Sequence, residues 1–384
     1  MERIYLDYNA STPIAPAVAD TIRELLSGPH GNPSSDHWAS RPARVILEKA
    51  RGQVAKSIGA QPEEIVFTGG CTEANNLALK GSFYALRERG NHIITQTTEH
   101  SAVLEPLKFL EREGARITVL PVDRFGRVDP EAIRAAIGPD TILISVMHAN
   151  NETGTVQPIG AIAKLAREHG VRFHTDAAQT LGKLPVHVDA LGVDLLSIAG
   201  HKLYAPKGVG ALYVRRGCEL SPLIQGPSQE AGRRSGTENV LFNAALGTAC
   251  DVAARLEHVG EIEALRNYFW ASLQAGLGDR VVLNGHPEHR LPNTLNVSFV
   301  GHAGGALLAR IPELAASTGS ACHSGLATVT PVLAAMGVEQ AVGLGAVRFS
   351  LGGSTTRHQI DAVVDRLLAL TSDASTRSMQ LFQR

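Results

Sequence analysis

Leu195-Leu196-Ser197-Ile198-Ala199-Gly200-His201-Lys202 is the stretch on which the reading of the fold turns. An almost wholly apolar run too short for a helix, stopped by a glycine, reads as a strand buried on both faces. Runs of the same kind stand before it at Glu64–Phe67, His92–Thr95, Ile117–Leu120, Thr141–Met147 and Val171–Thr175, and after it at Gly210–Val214. Helical patterns fall between them: Thr72–Lys80, Ala102–Arg112, Pro130–Ile137 with Asp129 as N-cap, and the periodic set Ile159, Ile162, Leu165 and Ala166. Short apolar strands alternating with helices predict an α/β domain with a mostly parallel sheet covered on both faces. Outside this region, Val45, Ala50, Val54 and Ile58 form one helical stripe, and Asn239–Leu277 is a long helical stretch with a break near Gly260. Strands at Thr294–Phe299 and Ala346–Leu351 and a last helix carrying Ile360, Val363, Val364, Leu367 and Leu368 complete the pattern. The expected organisation is a large α/β domain over residues 15–254 and a smaller α+β domain built from residues 1–14 and 255–384.

The composition narrows the function classes. Of 384 residues, 36 are basic and 37 acidic, so the basic excess of a phosphate-coating nucleic-acid binder is missing. No run reaches the roughly 18 apolar residues of a membrane span. The opening Met1-Glu2-Arg3-Ile4-Tyr5-Leu6 lacks the charged head and long apolar run of a signal peptide, and a cytoplasmic protein is expected. Cys71, Cys218, Cys250 and Cys322 form no C-x-x-C pair and no zinc-like spacing, so neither a structural metal nor a disulfide framework is predicted.

Polar clusters sit where the predicted strands end, the edge at which open parallel sheets bind ligands. Thr68-Gly69-Gly70-Cys71-Thr72-Glu73 follows a strand and opens a helix. Its glycines and free helix-start amides suit an anion, with Thr72 as cap or hydroxyl donor; a plain helix entry has the same pattern. Asn150 and Asn151 end the Thr141–Met147 run, as oriented hydrogen-bonding groups or as turn residues. Asp176 closes a buried strand, where a carboxylate needs a cation such as a protonated pyridine nitrogen, unless it serves as an N-cap or in a structural salt bridge. Lys202 follows an apolar strand among Gly200, Pro206 and Gly208, a setting that desolvates an amine and suits Schiff-base chemistry; most lysines are solvated surface charges.

Asp176 and Lys202 together resemble the aspartate and Schiff-base lysine of fold-type I pyridoxal-phosphate enzymes. More closely, the sequence resembles the class V aminotransferase family, and within it the cysteine desulfurases of the NifS and IscS type. The likeness runs through Tyr5–Ala10, Gly31–Ser35, Thr98–His100, Asn150–Glu152, Asp176–Gln179, Gly200–Lys202, Arg234–Thr237, Ser317–Cys322 and Arg348–Gly352. The resemblance implies pyridoxal 5'-phosphate as cofactor and L-cysteine as substrate. It implies that Lys202 carries the cofactor and moves a proton, that Asp176 pairs with the pyridine nitrogen, and that Gln179 meets the ring's phenolic oxygen. His100 would stack on the ring and assist proton transfer. Cys71, Thr72, Ala199 and His201 would surround the phosphate, and Thr237 would complete the site of a partner subunit in a homodimer. Arg348 would hold the substrate carboxylate with Asn151 and Asn32. Cys322, in a Gly- and Ser-rich stretch that reads as a mobile loop, would take the sulfur as a persulfide and pass it to an acceptor protein, scaffold or carrier. His323 is a candidate for deprotonating it.

The sequence departs from the family pattern in four places. Position 199 is alanine where many relatives carry a serine on the phosphate. Gly226-Pro227-Ser228 stands where a glycine triplet is usual. Cys71 lies inside the phosphate loop, read as a packed and unreactive thiol. The C-terminus at Ser378–Arg384 is without the long tail that some relatives use to dock an iron–sulfur scaffold, so iron–sulfur assembly, tRNA thiolation and a specialised pathway all stay open. The competing readings are a selenocysteine lyase, another class V lyase or transaminase, and a non-catalytic sulfur-carrier platform.

Overall fold

A computed structural model of the chain describes residues 2–318, 320–323 and 326–381, with backbone only for 320–323, 326–327 and 373–381. β1 (Ile4–Tyr5), α1 (Pro16–Leu26) and α2 (Ser40–Ser57) come first. Strand and helix then alternate: β2 (Ile65–Thr68), α3 (Cys71–Leu86), β3 (His92–Gln96), α4 (Ser101–Arg112), β4 (Arg116–Leu120), α5 (Pro130–Ala136), β5 (Thr141–Ser145), α6 (Ile159–Glu168), β6 (Arg172–Asp176), α7 (Val188–Leu191), β7 (Leu195–Ala199) and β8 (Gly210–Val214). The last seven strands make one sheet in the order β2-β8-β7-β6-β5-β3-β4. Neighbours run parallel except at β8, which is antiparallel to both β2 and β7. This is the mostly parallel α/β sheet that the apolar runs predict. Strands β2, β3, β5, β7 and β8 are buried along their whole length, and only the edge strand β4 is largely open.

The remainder begins with α8 (Val240–Ala253) and α9 (Val259–Leu277), then β9 (Val281–Asn284), β10 (Thr294–Phe299), α10 (Gly304–Ala309), β11 (Leu314–Ala315), β12 (Ser317–Thr318), β13 (Ser320–His323) and β14 (Leu326–Val329). It ends with α11 (Pro331–Ala335), α12 (Gln340–Gly343), β15 (Ala346–Ser350) and α13 (Arg357–Leu381). A second sheet, β12-β15-β10-β9, is antiparallel throughout, and β1 pairs with β11. One apolar cluster draws on residues between Val18 and Cys250. Another joins Ile4 and Leu6 to residues between Phe269 and Leu370, with the Phe269 and Phe349 rings 4.9 Å apart.

Three local expectations change. The helix expected over Thr72–Lys80 runs on to Leu86, through Gly81. That glycine is no stop signal: a Cβ there would lie 2.9 Å from the Ser221 carbonyl oxygen, so it permits a close approach. The break expected near Gly260 falls at residues 254–258, and Gly260 lies in the first turn of α9. No residue from Asp251 to Leu265 is buried, so packing cannot hold the helix continuous there. In the stretch Ser317–Cys322, read as a loop, the described residues Ser317–Thr318 and Ser320–Cys322 are instead strand. Ser317 and Thr318 pair with Arg348 and Val347, and Ser320–His323 form a hairpin with Leu326–Val329.

Two buried histidines tie the parallel sheet across its strands. His92 on β3 meets Thr141 on β5 at 2.7 Å and Thr118 on β4 at 2.8 Å. His174 on β6 meets Ser145 on β5 at 2.9 Å and Ser197 on β7 at 3.0 Å. Burial lowers the His174 pKa to about 4. Its folded pKa is therefore depressed below the unfolded value, so the stability it contributes is present above about pH 6.5 and is lost as pH falls toward 4. We expect the destabilisation caused by His174→Gln to shrink by about 2 kcal/mol between about pH 7.5 and pH 5. Urea melts of both proteins at the two pH values measure this; an unchanged difference would count against a neutral, doubly bonded imidazole.

Candidate active site

The parallel strands deliver their last residues to one edge of the sheet. There a cavity of about 750 Å³ is lined by residues from five strand ends, from the N-terminal segment at Asn9–Ser11, and by Arg348 of the second sheet. Asp176 is the last residue of β6, and Lys202 lies in a single 3₁₀ turn, Gly200–Lys202, directly after β7. Gly69–Glu73 form the exit of β2 and the start of α3. His100 is the N-cap of α4, just beyond β3.

The turn after Lys202 is held under strain. Tyr204 has φ +66°, a left-handed conformation rarely taken by a bulky residue. Its backbone N–H donates to Thr12 Oγ1 at 2.8 Å, and its hydroxyl accepts from the Gly353 N–H at 3.2 Å. The chain leaving the lysine is thus pinned by both the N-terminal segment and the loop after β15.

Asp176 is 5% exposed and accepts three hydrogen bonds: from Asn75 Nδ2 at 2.7 Å, the Ala178 N–H at 2.9 Å and the Cys71 thiol at 3.4 Å. No lysine or arginine lies within ion-pair distance of it among the described residues. A buried carboxylate held only by neutral donors favours a cation placed against it. Burial lowers the Lys202 pKa while the Asp176 charge opposes the shift, so the amine deprotonates more readily than a surface lysine. Burial together with the Asp176 charge raises the Cys71 thiol well above its ordinary value, which fits the unreactive thiol expected from the sequence. At His100, Nδ1 accepts from the Ala102 N–H at 3.1 Å, so the neutral ring carries its proton on Nε2. Burial lowers its pKa, against the opposing pull of the Asp176 charge and with a smaller push from Lys202.

Arg348 is set before any ligand arrives. Nη2 donates to Asp7 Oδ1 at 2.7 Å and to Ser317 Oγ at 2.8 Å, and Nη1 donates to the Asn151 carbonyl at 2.9 Å. Its Nε is buried and has no hydrogen-bond partner among the described residues. Gln179 donates from Nε2 to the Asn9 carbonyl at 3.0 Å, and His201 Nδ1 lies 3.4 Å from Ser11 Oγ.

Cys71, Thr72, His100, Asn151, Asp176, Gln179, Ala199, His201, Lys202 and Arg348, all singled out from sequence, line this one cavity. Asn32 and Thr237 do not. Asn32 Oδ1 accepts from the Ser34 N–H at 2.9 Å in a local turn. Thr237 is exposed, on a segment fastened at two points. Glu230, at φ +48°, is paired with Arg51 at 2.7 and 2.9 Å and accepts the Phe67 N–H at 3.0 Å. Arg234 donates to Glu73 at 2.9 Å, and Glu73 in turn accepts the Gly69 N–H at 2.8 Å. The backbone of Cys322 pairs with Ala327; its side chain and that of His323 lie outside the described residues.

Asp7, Asn9, Asn75, Lys183 and Ser317 escaped notice as site residues. Asp7 and Asn9 belong to a motif quoted above, and Ser317 opens another, but nothing in their spacing marks them as partners of Arg348 or Gln179. Asn75 is a fully buried amide on α3, a burial that only the fold reveals.

The profile described as Aminotransferase class-V matches residues 4–363. "Cysteine desulfurase IscS" of Dictyoglomus turgidum is 48% identical over 369 residues, covering 95% of this chain and 93% of the relative. Among solved structures, a "NIFS-LIKE PROTEIN" superposes with a TM-score of 0.89 at 35% identity, covering 96% of this chain and 99% of that one. "SspA in complex with cysteine" follows with a TM-score of 0.79 at 38% identity, covering 90% and 98%. Profile, relatives and folds coincide over nearly the whole length, and the chain belongs to the class V aminotransferase family, in its NifS/IscS-type cysteine desulfurase group.

Proposed function

We propose that this chain is a pyridoxal-phosphate-dependent cysteine desulfurase that takes the sulfur of L-cysteine onto Cys322 and releases L-alanine. The observation that carries the reading is the buried Asp176 carboxylate, without a cation partner among the described residues, in the same strand-end cavity as the desolvated Lys202 amine.

The residues present fit the cofactor. Asp176 suits a protonated pyridine nitrogen. The start of α3 lies open to the cavity with Gly70 as N-cap and no side chain capping it, which suits a phosphate. Thr72 and His201 supply further donors beside it, whereas Ala199 supplies none. Thr237, exposed and rigidly presented, would serve the cofactor phosphate of a second copy, making the active form a homodimer.

When bound, the cofactor supplies an electron sink for the bonds at the substrate α-carbon. Arg348 binds the substrate carboxylate through its planar fork by exchanging one of its Nη2 contacts, to Asp7 or Ser317, for the ligand, while the Asn151 carbonyl keeps hold of Nη1. Lys202 takes and returns the proton at the α-carbon. His100 would cover the cofactor ring and assist proton transfer. The Cys322 thiolate attacks the substrate sulfur: the new S–S bond forms as the C–S bond breaks, and the carbon fragment is protonated to alanine. The persulfide then passes to an acceptor thiol on another protein. The reduced Cys322 that this requires favours a cytoplasmic setting. The same reading divides the chain into a cofactor-binding body, residues 15–254, and a smaller body, residues 1–14 with 255–384. The two separate apolar clusters support that division.

Purified protein should show a visible cofactor band that Lys202→Ala abolishes, with cysteine desulfuration falling at least about a thousandfold; a band indifferent to the substitution would sink the assignment. Cys322→Ala should retain the band and lose at least about a hundredfold in sulfide or persulfide release, scored against selenocysteine turnover in the same assay. Selenocysteine activity that survives while wild-type cysteine activity is negligible would favour the lyase instead. Arg348→Lys should raise KM for cysteine about tenfold or more, since a single ammonium cannot replace the bidentate fork; an unchanged KM would move the carboxylate site elsewhere.

A further inference from the structure

Lys183 is a charged group near the cavity that the proposed chemistry leaves unused. It follows Gln179 by four residues, and its Nζ donates to Gln179 Oε1 at 2.8 Å and to Asn9 Oδ1 at 3.3 Å. No carboxylate lies within ion-pair distance of it among the described residues, and the charges that act on it are those of Lys202 and Arg348, both positive. Burial and these two charges lower its pKa to about 7. A half-buried amine kept among neutral amides, beside two other cations, is costly to retain for stability alone.

The hydrogen bonds fix what it does to Gln179. In its ammonium form Lys183 has only donors, so the atom facing it must then be Oε1. The Asn9 carbonyl only accepts, so the atom facing it must be Nε2. The amide cannot flip without losing both contacts. Asn9 is itself fixed: its Nδ2 donates to Thr294 Oγ1 at 2.8 Å, and its Oδ1 accepts from Asn293 at 3.0 Å. One N–H of the Gln179 amide is used on Asn9, and the other is left for the cavity that Gln179 lines.

We propose that Lys183 is a positioning residue acting through Gln179. It holds the amide with its carbonyl turned away from the cavity and polarises it, so that the remaining N–H is a stronger donor to the cofactor's phenolic oxygen. This rests on the reading of the site given above. Donation into the amide carbonyl strengthens donation from the amide nitrogen. A donor strengthened in this way favours the ionised phenolic oxygen and so disfavours a proton on the neighbouring Schiff-base nitrogen.

The test is the pH dependence of the visible cofactor band in the holoenzyme, which a merely structural role would leave in place. Lys183→Met should raise the apparent pKa of the band by about one unit, a tenfold change in proton affinity. Lys183→Arg, which keeps charge and donors, should stay close to wild type. Lys183→Gln, which removes the charge but keeps a neutral donor, should also shift upward and serves if the methionine variant does not fold. Gln179→Leu should shift the band as well, and adding Lys183→Met to it should produce no further change, because one residue acts through the other. An unmoved band in Lys183→Met and Lys183→Gln, or shifts that add in the double variant, would overturn the inference while leaving the cofactor assignment intact. A wild-type protein with no lysine-dependent band would overturn both.

Discussion

The register between β6 and β7 is the constraint on which the site depends. Parallel pairing sets His174 against Leu195, Thr175 against Leu196 and Asp176 against Ser197. Side chains alternate across a sheet, so a slip of one residue would send the Asp176 carboxylate to the opposite face, away from Asn75 on α3. It would also break the bridge from His174 to Ser197. The pair resists such a slip because β7 is buried along its whole length and β6 from Phe173 to Asp176, so their hydrogen bonds have no solvent to fall back on. The correct pairing is therefore the one in which Asp176, Lys202 and the start of α3 share one edge.

A second set of contacts joins that edge to the other half of the molecule through the first residues of the chain. Asp7 holds Arg348, while Asn9 binds Gln179, Lys183, Asn293 and Thr294. The same segment enters the smaller apolar cluster through Ile4 and Leu6. A few residues thus act as a polar hinge-pin between two dry cores. Nearly every polar atom of Asn9 is used, which accounts for an asparagine 1% exposed at the junction.

The fold was legible because its strands are nearly continuous apolar runs, and such runs have few alternatives in a chain this long. Asp176, Lys202, His100 and the Gly69–Thr72 turn were legible for a related reason: a polar group at the end of a buried strand stands out against what precedes it. Arg348 lies inside a strand, and only the family motif pointed to it. Asn75 and Asp7 were not legible, because their importance arises from contacts across 101 and 341 positions of sequence, which no local pattern encodes; Lys183 stands four residues from Gln179, but what holds the pair is Asn9, 174 positions from Lys183. Asn32 and Thr237 carry recognisable motifs but lie outside the cavity of a single chain, where their neighbours are a local turn and solvent. The helix break was misread at Gly260 because loss of packing, rather than a glycine, ends α8.

The reversed strand β8 has a consequence for how the cavity measures its occupant. Because Gly210 pairs with both Ala199 and Thr68, the loop bearing Lys202 leaves the large sheet at β7 and returns to the same sheet one strand away. The amine, Asp176 and the start of α3 are therefore surveyed from a single rigid frame. Arg348 belongs to the other frame, on β15. The span from amine to guanidinium is a gauge whose two jaws are built on separate cores, so the length of molecule that fits is set where those cores meet.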